Sequence, residues 1–184
     1  MKDGSLIDRL QARAPEAQKE AYQRHGPELF RFIQWNMRGT LTDAEDVLQE
    51  VFISAFEKID TLSPDGNLRA WLYRIARNKC IDTRRRERSY GRYTKKAYEV
   101  REERTMEDTI TAQDIQVLVA GSVRELPDIL RAVFTMRQYE EMPYEEIALA
   151  TETSLSRVKK AMAKAVLMLG ASLKSKGISK DMLR

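Results

Sequence analysis

The stretch Trp71–Arg86, WLYRIARNKCIDTRRR, decides how the rest of this chain is read. With Leu68 before it, the stretch places Trp71, Leu72, Ile75 and Ala76 at three- and four-residue spacing, the period of a helix with one apolar stripe. Arg74, Arg77, Asn78, Ile81 and Arg85 share another face, and Arg84 and Arg86 crowd the end. One side can bury, with Trp71 bulky enough to anchor it. The other presents guanidinium forks that match phosphate oxygens and an amide that can read base edges. A solvated basic helix is the plain alternative, and the neighbouring stretches decide between the two.

The composition narrows the class. In 184 residues, 42% hydrophobic and 33% charged, there are only 8 Gly and 5 Pro, which favours helices over a loop-rich β fold. The net charge is only +4, but Arg74–Lys96 holds ten Arg and Lys against Asp82 and Glu87, a local +8 that leaves −4 for the remainder. A concentrated cationic strip on a chain with otherwise acidic surfaces points to a polyanion as one partner. The lone Cys80 excludes an intramolecular disulfide and suits a reducing compartment. No apolar run approaches the roughly 18 residues of a membrane span, and MKDGSLIDRL lacks the apolar core of a signal peptide. The expected location is the cytoplasm, without membrane insertion.

Upstream, residues 5–38 read as helical, with Leu6, Leu10 and Ala14 as a weak stripe and Pro15 opening a second segment. Gly26-Pro27 punctuates it, and Leu29, Phe30, Ile33, Trp35 and Met37 supply core bulk. His25, the single histidine, has too few companions for zinc and reads as a surface or capping residue. Residues 42–60 form the clearest helix. Thr42 and Glu45 have capping-box spacing. Ala44, Val47, Leu48, Val51, Phe52, Ala55, Phe56 and Ile59 make a wide apolar face, and Asp43, Asp46, Gln49, Glu50 and Glu57 lie opposite. That acidic row is a solvated face, a dock for a basic partner, or a metal site from carboxylates at i, i+3 and i+7, the last without an accompanying His or third ligand set. Ser-Pro and Asp-Gly in 61–67 then make a loop.

Downstream, 87–115 is charged and lacks a durable apolar period, so it reads as a linker, partly helical and flexible when unbound. The period returns from Ile115. A helix with Ile129, Leu130, Val133, Phe134 and Met136 follows Pro127, Met142-Pro143 breaks it, and YEEIALA opens the next. After a turn at Thr151–Thr153, Ser154 caps a helix with Val158, Met162, Ala165 and Leu169 inside and Ser156, Arg157, Lys159, Lys160 and Lys164 outside. Two helices, a tight turn and a basic capped helix spell helix-turn-helix.

AEDVLQEVF, the loop and LRAWLYRIARNKCIDTRRR together resemble region 2 of the extracytoplasmic-function (ECF, group IV) sigma factors of the sigma-70 family. ELPDILRAVFTMRQYEEMPYEEIALATETSLSRVKKAM resembles their region 4. The resemblance implies an all-α fold of two small helical domains: residues 1–92 as a region 2 bundle, 93–117 as a flexible linker, and 118–184 as a region 4 helix-turn-helix. Residue by residue it implies that Asp43, Asp46, Gln49, Glu50 and Phe52 dock on the β′ clamp helices of core RNA polymerase. Asn67, Leu68, Arg69, Trp71, Arg74, Arg77, Asn78, Lys79, Asp82, Arg85 and Arg86 are implied to hold −10 promoter DNA, the loop capturing a flipped base. Ser154, Ser156, Arg157, Lys159, Lys160 and Lys164 are implied to meet the −35 element. Where the family commonly has Leu-Gly-Val before the cap, this chain has Thr151-Glu152-Thr153, so Glu152 stands where Gly or a positive φ is favoured. Lys160, Ala161, Lys164 and Val166 stand where further arginines are common, so fewer bidentate contacts are available.

The expected function is a transcription initiation factor. It binds core polymerase, directs it to promoters and helps melt the −10 element, without catalysis, metal or cofactor, under control of an anti-sigma factor. Two alternatives are a sigma mimic that sequesters an anti-sigma factor and a stand-alone helix-turn-helix regulator. The second leaves the acidic helix and Trp71–Arg86 unexplained. A nuclease built on the acidic row lacks a nucleophile–base set and a phosphate loop.

Overall fold

The computed structural model describes residues 4–37, 41–89 and 112–178. Among these residues every regular element is helical, as expected. The N-terminal half holds α1 (Gly4–Gln11), α2 (Pro15–Asn36), α3 (Leu41–Lys58) with a 3-10 turn at Ile59–Thr61, and α4 (Leu68–Ser89). The C-terminal half holds α5 (Ala112–Glu125), α6 (Asp128–Gln138), α7 (Tyr144–Thr151) and α8 (Leu155–Ser175). Residues 90–111, most of the expected linker, lie outside the described residues, and α5 begins inside the stretch 93–117 assigned to it.

The N-terminal half is a three-helix bundle of α2, α3 and α4 with α1 laid against it. Its core is the pair of apolar stripes read from the sequence: Val47, Val51, Phe52 and Ala55 of α3 against Leu68, Trp71, Leu72 and Ala76 of α4. The buried side of α4 is wider than expected, taking in Tyr73, Cys80 and Arg84. Gly66 fixes the loop before α4. A Cβ there would stand 2.6 Å from Leu62 Cδ1 and 2.8 Å from the Ser63 carbonyl oxygen, so only glycine fits. Asn67 caps α4, its Oδ1 accepting the Ala70 N–H at 2.8 Å. Thr42 sits within α3, which begins at Leu41, two residues further along than the N-cap position that a capping box requires.

Two expectations are corrected here. Gly26-Pro27 does not interrupt α2, which runs through it. Pro27 removes one helical hydrogen bond, but Ala21, Leu29, Phe32 and Ile33 on the same helix are buried together, and that packing outweighs the lost bond. His25 is neither surface nor cap: it is 3% exposed, with Nδ1 2.7 Å from Glu28 Oε1. The stripe that buries Ala21, Phe32 and Ile33 carries His25 inward with it, and Glu28, one turn on, partners the ring.

In the C-terminal half α8 packs on α5, α6 and α7. Val158 joins the main core, and Ala165 and Leu169 close a second one with Val123, Leu126 and Leu130. The turn into α8 is a Schellman closure: Thr153 N–H bonds the Ala148 carbonyl at 3.0 Å and Glu152 N–H the Leu149 carbonyl at 3.2 Å. Glu152 takes the left-handed conformation, φ 52 and ψ 42, as its place in the sequence predicts. The halves pack against each other, α7 on α4 and α6 on α2. Trp35 stacks on Tyr139 at 4.6 Å and 7°, and Asn36 donates to Thr135 Oγ1 at 3.1 Å.

Candidate nucleic-acid interface

The residues proposed for −10 DNA divide into three groups along α4. Leu68 and Trp71 are 1% and 6% exposed, so they hold the helix to the core and present no surface to a ligand. The opening turns carry polar side chains that are already engaged. Asn67 Nδ2 donates to Glu146 Oε1 at 3.1 Å. Arg69 donates to Glu28 Oε2 at 2.8 and 3.0 Å and to the Glu140 carbonyl at 2.8 Å, lies 3.6 Å from Glu146 Oε2, and covers the Tyr73 ring. Arg74 donates to Glu152 Oε1 at 3.1 Å. The later turns are open: Asn78, Asp82, Arg85 and Arg86 are exposed, and Arg77 is half-buried, its Nη1 donating to Asn78 Oδ1 at 3.4 Å. Lys79 turns instead toward α3, its Nζ 3.1 Å from Glu50 Oε2.

The electrostatics of the engaged end follow from this geometry. Burial would push the Glu28 carboxyl up, but hydrogen bonds from His25 and Arg69 outweigh it and hold the group below the ordinary carboxylate value. Burial works against the Arg69 charge, and the Glu28 carboxylate more than restores it. Arg84, read as crowding the end of the basic face, is 4% exposed and hydrogen-bonds Asp128 across the two halves. Arg131, 1% exposed, donates to the same Oδ1 at 2.9 Å, so two cations flank one carboxylate. Asp128 is pushed up by burial and down, with larger net effect, by those two arginines. Beside them burial pushes the Cys80 thiol up to about 12, so it stays protonated and inert.

The second candidate helix, α8, begins at Ser154, whose Oγ accepts the Arg157 N–H at 3.4 Å. Ser156, Arg157, Lys159, Lys160 and Lys164 are all exposed, and among the described residues none of the four cations makes an ion pair. On α3, Asp43, Asp46, Gln49 and Glu50 are exposed as one row. Phe52 is not part of that row. It is 3% exposed, with its ring 4.8 Å from Tyr22 and 5.7 Å from Phe56, and it supports the acidic face from beneath. The apolar pattern already placed Phe52 on the inner face, which is the signal that separates it from its acidic neighbours. Glu140, Glu146, Glu152 and Asp128, which engage Arg31, Asn67, Arg69, Arg74 and Arg84, escaped the sequence reading because their partners are 44 to 109 residues away. Among the described residues no three His, Cys, Asp or Glu are placed to hold a metal, and no helix is long and apolar enough to cross a membrane.

Residues 21–90 match the model of Sigma-70 region 2 and residues 118–169 that of Sigma-70, region 4, together about two thirds of the chain. The ECF RNA polymerase sigma factor SigW of Bacillus subtilis is 29% identical over 136 residues, 68% of this chain and 72% of that one. The ECF RNA polymerase sigma-E factor of Escherichia coli K12 is 28% identical over 133 residues, 67% and 70% of the two chains. Among solved structures, CnrH in complex with the cytosolic domain of CnrY shares the fold with a TM-score of 0.73 at 24% identity, over 95% of this chain and 99% of that one. The sigma factor RpoE in complex with the anti-sigma factor NepR from Bartonella quintana does so with a TM-score of 0.64 at 22% identity, over 85% and 96%. With both regions matched in order, the chain belongs to the sigma-70 family, among its ECF members.

Proposed function

We propose that this chain is a promoter-specificity subunit of RNA polymerase. It acts in the cytoplasm by binding rather than by chemistry. Residues 1–92 take the core enzyme and the −10 element, and 118–184 take the −35 element. The observation that carries the reading is the combination, in one chain, of an exposed acidic row on α3 with two separate basic helices, one exposing Asn78, Arg85 and Arg86 and the other Arg157, Lys159, Lys160 and Lys164. The acidic row suits a basic polymerase surface, where desolvated charge pairs set partner choice. The cations supply affinity through phosphates, and Asn78 with the loop before α4 supplies base discrimination. An anti-sigma factor is the regulatory partner this reading calls for.

Co-purification with core polymerase followed by run-off transcription tests it. The expected result is transcript only when the chain is added, with duplex opening detected by permanganate and impaired by Asn78→Ala or Arg85→Ala. A chain that neither retains core polymerase nor yields transcript overturns the proposal.

A further inference from the structure

Where the tail of α4 meets the head of α6, guanidinium groups outnumber carboxylates. Arg84 comes from α4, and Asp128 and Arg131 come from the first turn of α6. Both arginines are buried, and both hydrogen-bond Asp128 Oδ1. Arg84 keeps one donor in reserve, because its buried Nε meets no acceptor. A buried charged donor left in that state is costly. Next to it lies a cavity of about 10 Å³, the space of a single water-sized particle. Its lining includes Arg77, Arg84 and Arg131 with Asp128 as the one carboxylate. Cys80 also lines it and adds no negative charge, since burial keeps the thiol protonated. The head of α6 carries no side-chain cap, so the positive end of its dipole adds to the same field.

We propose that this cavity is a binding site for one monatomic, monovalent anion, with chloride as its ligand. The Arg84 Nε–H donates to the ion, and the charges of Arg77 and Arg131 hold it there. Size and charge make the selection together. Phosphate and sulfate are too large for the space. Water would satisfy the Nε–H but leave the excess of positive charge, whereas chloride answers both. The Asp128 side chain is 39% exposed, which gives the ion a way in from solvent and keeps the affinity in the millimolar range. Of the lining residues only Arg77 is among those assigned to DNA, so the site does not depend on the promoter reading.

The test titrates the full chain with potassium chloride in a background of potassium glutamate at constant ionic strength and follows the width of the chloride NMR signal. The expected result is excess broadening that saturates in the millimolar range and is competed away by bromide but not by sulfate. Arg84→Met leaves Asp128 paired with Arg131, so it folds, and it should lose the saturable broadening. Arg86→Met removes the same charge from an exposed position of the same helix and should keep it. The urea midpoint should rise with chloride in wild type and Arg86→Met, and stay flat in Arg84→Met. Absence of saturable broadening in wild type overturns the site and leaves water in the cavity. Broadening that survives Arg84→Met, or that sulfate displaces as well as bromide does, also overturns it, since chloride would then sit on the open basic faces of α4 and α8. Absence of transcript in the run-off assay, with saturable chloride binding intact, overturns the promoter reading alone.

Discussion

Asp128→Ala should damage this protein far more than Arg84→Met, although the two side chains face each other. The Arg84 side chain is 5% exposed, Asp128 is its only partner among the described residues, and its Nε is unpaired. Arg131 shares that carboxylate but also donates to the carbonyls of Arg124 and Leu126 at 2.7 and 3.2 Å. The site therefore holds two guanidinium charges and one carboxylate. Removing the carboxylate strands Arg84, and an uncompensated buried charge costs about 3–5 kcal/mol. Asp128 is 39% exposed, so water reaches the site and brings the expected loss down to about 2–3 kcal/mol. Removing Arg84 instead leaves Asp128 paired with Arg131 and takes away a like charge, for a cost below about 1 kcal/mol. The double variant should then be more stable than Asp128→Ala alone by about 1–2 kcal/mol. Urea unfolding of the four full-length proteins, compared at constant m, measures the cycle. Additive losses, or an Arg84→Met cost above that of Asp128→Ala, would refute the reasoning that a stranded charge governs the site.

Three further outcomes follow from the described geometry. Asp46→Lys, on an exposed position, should leave the melting temperature unchanged and weaken retention of core polymerase about tenfold or more; unchanged retention removes the docking role from α3. Phe52→Ala should cost about 3–4 kcal/mol and roughly 10 °C in melting temperature, with polymerase affinity near wild type wherever the variant remains folded; loss of affinity without loss of stability would place Phe52 in the interface after all. Glu28 and Asp128 are both held below their ordinary values of 4.5 and 3.8, so the stability they contribute is present above those values and lost as pH falls through the lowered ones. The urea midpoint should hardly change from pH 7 to 5 for these groups and fall below about pH 4; a midpoint that rises on acidification contradicts the assignment.

The parts of the fold legible in the sequence are those set by local periodicity. The stripe from Leu68 to Ala76 and the inner row of α3 are buried as their spacing dictates, and the turn at Glu152 takes the backbone its position favours. What local rules could not supply is the outcome where long-range packing competes with them. Gly26-Pro27 is a helix breaker by propensity, yet the buried face of α2 carries the helix through it. Arg84 and Arg131 belong by composition to a solvated basic surface, and only a carboxylate 44 residues from Arg84 makes its burial tolerable. The surface residues expected of the candidate site were legible along the chain, but not the side-chain partners that they meet. The resemblance names Asn67, Arg69 and Arg74, but nothing local says that Glu146 meets Asn67, that Glu28 and the Glu140 carbonyl meet Arg69, or that Glu152 meets Arg74.

Asn67 has a consequence for how a base could be received. Its Oδ1 is fixed by the Ala70 N–H, so the orientation of the amide is settled when α4 forms, whatever its Nδ2 then meets. That donor meets Glu146. A side chain anchored in this way lacks the rotational freedom that an unanchored amide would have to surrender on binding. The rotamer entropy of ordering it, on the order of 1 kcal/mol, has been spent on folding, so an incoming acceptor finds a donor already aimed. The same helix cap that starts α4 thus makes the end of the loop a pre-set recognition point, and replacing Asn67 by Asp would keep the cap while erasing the donor.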